Sequence, residues 1–128
     1  MRYLLDTHVF NWLDSEPDKL SPKIASLCAD RANQLVLSLA SIWEIQIKFQ
    51  LGKLKLNKPL ITLVKEQQSN NQIELLPVTV QHILSLDKLP AYHRDPFDRI
   101  LVAQAISEEL TFITHDSVIK QYPIKIEW

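Results

Sequence analysis

The sequence predicts an α/β sandwich built on a mostly parallel sheet. Short apolar runs alternate along the chain with longer stretches of helical periodicity, the order that places parallel strands between helices. The 128 residues, with 46% hydrophobic and 23% charged side chains, suit one soluble core. No internal repeat, low-complexity tract or linker interrupts them, so residues 1–128 are expected to form a single domain.

Arg2-Tyr3-Leu4-Leu5-Asp6 is an apolar run ending in an acid, which suggests a buried first strand followed by a helix over residues 7–13. Ser21 before Pro22 pairs a capping residue with proline at the first helical position, starting a helix that should run to about residue 33. Residues 34–38 form the second short strand. Residues 40–51 carry Ile42, Trp43, Ile45, Ile47, Phe49 and Leu51, where partial alternation also fits a strand. Gly52 decides for helix, because a helix exit favours a left-handed residue and glycine adopts that conformation cheaply. A helix over 59–69, a strand over 73–77 and a helix over 79–87 follow. Residues 89–95 read as a loop, and Pro96 opens a helix to about residue 109. Thr111-Phe112-Ile113-Thr114 is β-branched and aromatic, and residues 124–127 alternate, so each is expected to be a strand.

Composition excludes several chemistries. Gly52 is the one glycine, and phosphate cradles of the P-loop or dinucleotide type need several. Cys28 is the one cysteine, which rules out an internal disulfide and multi-thiolate zinc or iron–sulfur sites. Any metal must therefore be held by oxygen or imidazole. The formal charge of −1 argues against a nucleic-acid coat protein while leaving room for a local basic rim. An acid at position 6 precedes any apolar core of signal-peptide length, and no run reaches membrane-span length, so a cytoplasmic location without membrane contact is the expectation.

Four acids fall where strands end or helices begin: Asp6, Glu44, Asp98 and Asp116. In parallel α/β sheets that is the ligand-binding edge. Each has a structural explanation of its own. Asp6 suits a cap of the first helix, Glu44 and Asp98 suit the positive end of a helix dipole, and Asp116 suits a cap of a short final helix. Together they raise an electrostatic question, since two carboxylates ~4 Å apart repel by about 4 kcal/mol at an effective dielectric of 20. Such a cluster requires a cation or protons, and an oxygen-only donor set suits Mg²⁺ or Mn²⁺ and phosphodiester hydrolysis.

Four blocks carry a resemblance: Leu4-Leu5-Asp6-Thr7-His8; Ser41-Ile42-Trp43-Glu44-Ile45 with Lys48 and Leu51-Gly52-Lys53-Leu54; residues 93–105, His93-Arg94-Asp95-Pro96-Phe97-Asp98-Arg99 and onward; and Thr114-His115-Asp116. In order and spacing they resemble the PIN-domain family, and within it VapC-type toxins of prokaryotic toxin–antitoxin pairs. The resemblance covers nearly the whole chain, and its most specific part is the segment 95–105. It implies a PIN-like three-layer sandwich and a Mg²⁺-dependent endoribonuclease, with Mn²⁺ as a candidate substitute, restrained by a cognate antitoxin. Carried over residue by residue, it implies catalytic and metal roles for Asp6, Glu44, Asp98 and Asp116. Asp6 and Asp98 would hold the main ion; Glu44 and Asp116 would act through water, a second ion or by positioning the nucleophile. Asp95 reads as an N-cap or as a residue supporting the metal, and Thr114 as one that orients a carboxylate or water.

Lys48, Arg94 and Arg99 are candidate RNA contacts, with His93, Lys53 and Lys55 as further members of a phosphate rim or of plain solvated surface. His8 and His115 read as neighbours of the metal acids rather than as ligands. Trp12, Trp43, Phe97 and Cys28 read as core. Apolar residues around Phe10, Leu13, Ile47 and Leu51 are the expected face for an antitoxin helix or a homodimer. Two other functions stay open on the sequence alone. One is a non-catalytic module binding RNA or protein, and the other is a metal-dependent nuclease of structured DNA.

Overall fold

The computed structural model describes residues 1–128. Its strands are β1 (Arg2–Leu5), β2 (Gln34–Ser38), β3 (Glu74–Leu76), β4 (Thr111–Ile113) and β5 (Ile126–Glu127). They form one five-stranded sheet in the order β3-β2-β1-β4-β5, and every pairing is parallel. The helices are α1 (Thr7–Ser15), α2 (Pro22–Ala29), α3 (Leu39–Gln50), α4 (Leu60–Asn70), α5 (Val80–Leu84) and α6 (Pro96–Ser107). Alternate strand residues feed two cores. Tyr3, Leu5, Leu35 and Leu37 join Phe10 and Ile24 on one side, whereas Leu4, Val36 and Phe112 join Leu101, Val102 and Ile119 on the other. Both faces are thus covered, which is why the strands read as unbroken apolar runs. Each such side chain, removed from water, contributes about 1.5–3 kcal/mol.

Order 3-2-1-4-5 puts a topological switch point between β1 and β4, where the chain leaves the sheet in opposite directions and a crevice opens at the carboxyl edge. Asp6 follows β1 there and Thr114 follows β4.

Several local expectations need correction. The second helix ends at Ala29 rather than near residue 33, because the Asp30 carboxylate accepts the Ala32 N–H at 2.9 Å and turns the backbone away. The third starts at Leu39, with the Ser38 hydroxyl accepting the Ala40 N–H, so Glu44 lies in its second turn. The dipole explanation for Glu44 therefore fails. The helix expected over 79–87 is α5 continued by a 3₁₀ turn, Ser85–Lys88. The last strand shortens to two residues because Ile124, after Pro123, turns its N–H back to the Tyr122 carbonyl at 2.8 Å. Trp43, expected in the core, is 64% exposed with its ring edge-on to Phe97, while Phe10, expected on a surface patch, is fully buried. Gly52 does end α3. At φ +72° it completes a Schellman turn in which its N–H reaches Phe49 O and the Lys53 N–H reaches Lys48 O.

Candidate metal centre

Each of the four acids is delivered to the carboxyl edge by a different local device. Asp6 caps α1 from the end of β1, its Oδ1 accepting the His8 N–H at 3.2 Å. Its Oδ2 accepts the Thr114 hydroxyl at 2.5 Å, and the Asp116 N–H donates to that same hydroxyl at 3.0 Å. The Thr114 hydroxyl thus accepts from Asp116 and donates to Asp6. Glu44 comes from α3, whose Ser41 is tied to Thr7 at the start of α1 by a buried hydroxyl pair at 2.8 Å. Asp98 is the third residue of α6, after Pro96 at the first position, and Asp95 is the cap: its Oδ1 accepts the N–H groups of Phe97 and Asp98 at 2.8 and 3.4 Å. Asp116 sits in the loop after β4 with Oδ1 accepting the Val118 N–H at 2.8 Å.

The charges of these groups act on one another. Burial, and then the negative charges of Asp6 and Asp95, push the Asp98 carboxyl up to about 7, with Glu44 contributing in the same direction. Burial also raises Asp6 despite the Thr114 hydrogen bond. Asp116 is held below its ordinary value, because burial is outweighed by the hydrogen bonds from His93 and the Val118 N–H. Lys48 pairs with Glu44, Nζ to Oε2 at 2.7 Å one turn along α3, and that bond raises the ammonium.

One oxygen tests whether a hard cation fits. Glu44 is 4% exposed, Lys48 occupies its Oε2, and its Oε1 has no hydrogen-bond partner. An orphaned buried carboxylate oxygen costs about 1–3 kcal/mol or more. Amid further carboxylates and without a thiol, a divalent oxygen-seeking ion is the group that satisfies it. The donor set fits such an ion.

The basic candidates separate. Lys48 is already paired with Glu44, Arg94 is exposed, and Arg99 is committed to the backbone, its guanidinium donating to Pro90 O and Leu86 O at 3.1 and 3.3 Å. The His8 and His115 rings stack on Trp12 and Trp128, and the charge of His8 still reaches Asp6. The histidine inside the acid cluster is His93, which reading along the chain had placed on the rim. Its Nε2 lies 2.9 Å from Asp116 Oδ2 and 3.2 Å from Asp98 Oδ2. Its position two residues before the cap of α6 was a usable signal, since that places it over the helix start beside Asp98.

Comparison with known proteins bears on the fold and the family. The PIN domain family profile matches residues 3–125. Ribonuclease VapC22 of Mycobacterium tuberculosis is 27% identical over 120 residues, covering 93% of this chain and 90% of that protein. Among solved structures, VapBC2 of Rickettsia felis, bound to a DNA fragment from its promoter, superposes with a TM-score of 0.73 at 18% identity, covering 99% of this chain and 98% of that one. DNA-bound VapBC of Salmonella typhimurium gives 0.68 at 17% identity, with 99% and 97% covered.

Proposed function

The chain belongs to the PIN domain family, and from that membership we propose that it is a metal-dependent endoribonuclease, the VapC-type toxin of a toxin–antitoxin pair. The observation that carries the reading is the run of contacts from Asp6 through Thr114 and Asp116 to His93 beside Asp98, with Glu44 raising Asp98 and its own Oε1 left orphaned. The relative named a ribonuclease supports the reaction class, and the neighbours solved as VapBC complexes support an antitoxin partner.

Asp6 and Asp98 would hold Mg²⁺ or Mn²⁺, with Glu44 and Asp116 completing the donor set directly or through water. When bound, such an ion lowers the pKa of water and stabilises charge at a phosphoryl oxygen. The chain's own residues prepare the site. Thr114 holds Asp6 Oδ2 in place by donating its hydroxyl proton. Lys48 neutralises one oxygen of Glu44 and leaves the other free. Asp95 keeps the first turn of α6 closed, so Asp98 is presented from a rigid helix start. Arg94, exposed beside the cluster, is the candidate contact for the RNA backbone.

Of the residues expected to face an antitoxin or a second copy, Phe10 is buried and Leu51 is exposed. Exposed apolar residues lie along a groove of about 530 Å³ lined by Leu39, Trp43 and Ile83 with the half-buried Phe97, and at Phe49, Leu51 and Ile61. Light scattering of the purified protein and co-purification with the product of an adjacent small open reading frame test these partners.

The decisive experiment is RNA cleavage with and without Mg²⁺ or Mn²⁺. Cleavage that requires the ion and is lost in Asp6→Asn, with unchanged folding, supports the proposal. Metal-independent cleavage, or binding of RNA without cleavage, sinks it, and preference for structured DNA at the same salt reassigns the substrate.

A further inference from the structure

The strongest feature left unexplained is His93. Three bonds fix it. Its main-chain N–H donates to the hydroxyl of the buried Tyr122 at 3.0 Å, its Nδ1 accepts the Asp95 N–H at 3.1 Å, and its Nε2 meets two site carboxylates. By proximity alone His93, Asp98 and Asp116 form a ligand set, since their donor atoms lie within 4.8 Å of one another. The proton inventory says otherwise. A backbone N–H pointing at Nδ1 requires a lone pair there, so the proton of the neutral ring is on Nε2, and an N–H cannot ligate a metal.

We propose that His93 is a positioning residue rather than a ligand: its Nε2–H bonds Asp116 Oδ2 while standing 3.2 Å from Asp98 Oδ2, and so holds the loop after β4 against the start of α6. The inference rests on the reading of this crevice as a metal site. Two oxygens on one octahedral Mg²⁺ stand about 3.0 Å apart when adjacent and about 4.2 Å when opposite, from bonds of about 2.1 Å. Carboxylates already gathered within 4.8 Å need only a small contraction. Asp116 depends on this clasp more than the other acids do. Its side chain is 31% exposed on a short loop, and His93 is the one side chain that donates to it. A carboxylate oxygen has two lone pairs, so the imidazole N–H can stay bonded while the other lone pair faces a cation. Asp95 acquires a second duty, as its side chain caps α6 while its N–H sets the tautomer of His93.

The test titrates native protein, His93→Ala, His93→Gln and Asp98→Asn with Mn²⁺. Free ion is followed by electron paramagnetic resonance, and nitrogen coupling to bound ion by electron spin echo modulation. Loss of an orienting group around a metal site typically weakens affinity ten- to a hundredfold. His93→Ala is expected to bind Mn²⁺ about tenfold or more weakly, and His93→Gln, which keeps an N–H donor, to recover most of that loss. Bound Mn²⁺ in the native protein is expected to show no directly bonded nitrogen. Unchanged affinity in His93→Ala, a folded His93→Gln as weak as the alanine variant, or directly bonded nitrogen that disappears in His93→Ala each overturns the inference while the metal site stands. Native protein that binds no Mn²⁺, or Asp98→Asn that binds it normally, overturns the metal site itself.

Discussion

His82 and His93 are held in the same way and face different surroundings. In both, Nδ1 accepts a nearby backbone N–H, from Thr79 at 3.0 Å in one and Asp95 at 3.1 Å in the other, so both rings present Nε2 to a carboxylate. His82, 1% exposed, presents Nε2 to one carboxylate, Glu108, at 3.0 Å and joins α5 to the end of α6. His93 meets Asp98 and Asp116 with Asp6, Asp95 and Glu44 close behind, and Lys48 and His8 share the task of balancing them. The imidazole geometry is common to a brace and a site. What marks the site is the surplus of carboxylates around it over the cationic groups beside them.

The sharpest way to break this contrast is to remove charge from the surplus. Asp98→Asn should lower metal-dependent RNA cleavage by at least about a hundredfold while thermal unfolding of the metal-free protein is unchanged or improved, because a carboxyl that resists ionisation is replaced by a neutral amide. Full cleavage in that variant would erase the distinction between the two histidine sites. On the other side, His82→Ala should cost about 2–3 kcal/mol in urea unfolding, from the cavity and the unpaired Thr79 N–H, with Mn²⁺ affinity unaltered.

A smaller effect comes from protons. The Asp98 carboxyl, ordinarily near 3.8, is raised to about 7, so between those values the folded chain holds a proton that the unfolded chain has lost. This group's contribution to the stability of the metal-free protein therefore declines as pH rises from about 4 and levels off above about 7. Metal affinity runs the other way, since the ion needs the carboxylate, and calorimetry should find Mn²⁺ about tenfold weaker at pH 6 than at pH 8. The smallest change leaves both imidazoles alone. Helix α6 ends on Glu108 followed by Glu109 at φ +54°, with Leu110 N–H closing on Ala105 O, the same turn that Gly52 makes after α3. Glu109→Gly should stabilise the fold by about 0.5–1 kcal/mol in the same unfolding assay, and a loss instead would show that the Glu109 side chain is needed there.

Much of this was legible locally. A strand that ends in Asp6, a helix announced by Asp95-Pro96 with Asp98 two residues on, and a helix closed by Gly52 are each written within a few neighbouring residues, because capping and φ preference act over one turn. Other features were not. Trp43 shares the apolar pattern of its helix yet is exposed, since which face of α3 is covered depends on where α1 and α6 lie. Arg99 has the composition of a phosphate contact and spends its donors on Pro90 and Leu86.

By itself the sequence determined the alternation of strand and helix, the presence of four acids of which Asp6, Asp98 and Asp116 stand at element ends, and, through the single cysteine, that any metal must be held by oxygen or imidazole. Only the tertiary structure decided that Asp6 and Thr114 meet across 108 residues, that His93 joins Asp98 to Asp116, and that one oxygen of Glu44 is left without a partner. The reason is physical. Helix caps and turns are set by bonds to near neighbours, whereas the field at a carboxylate is the sum over every charge the fold brings near it, and that sum exists only after the sheet has closed.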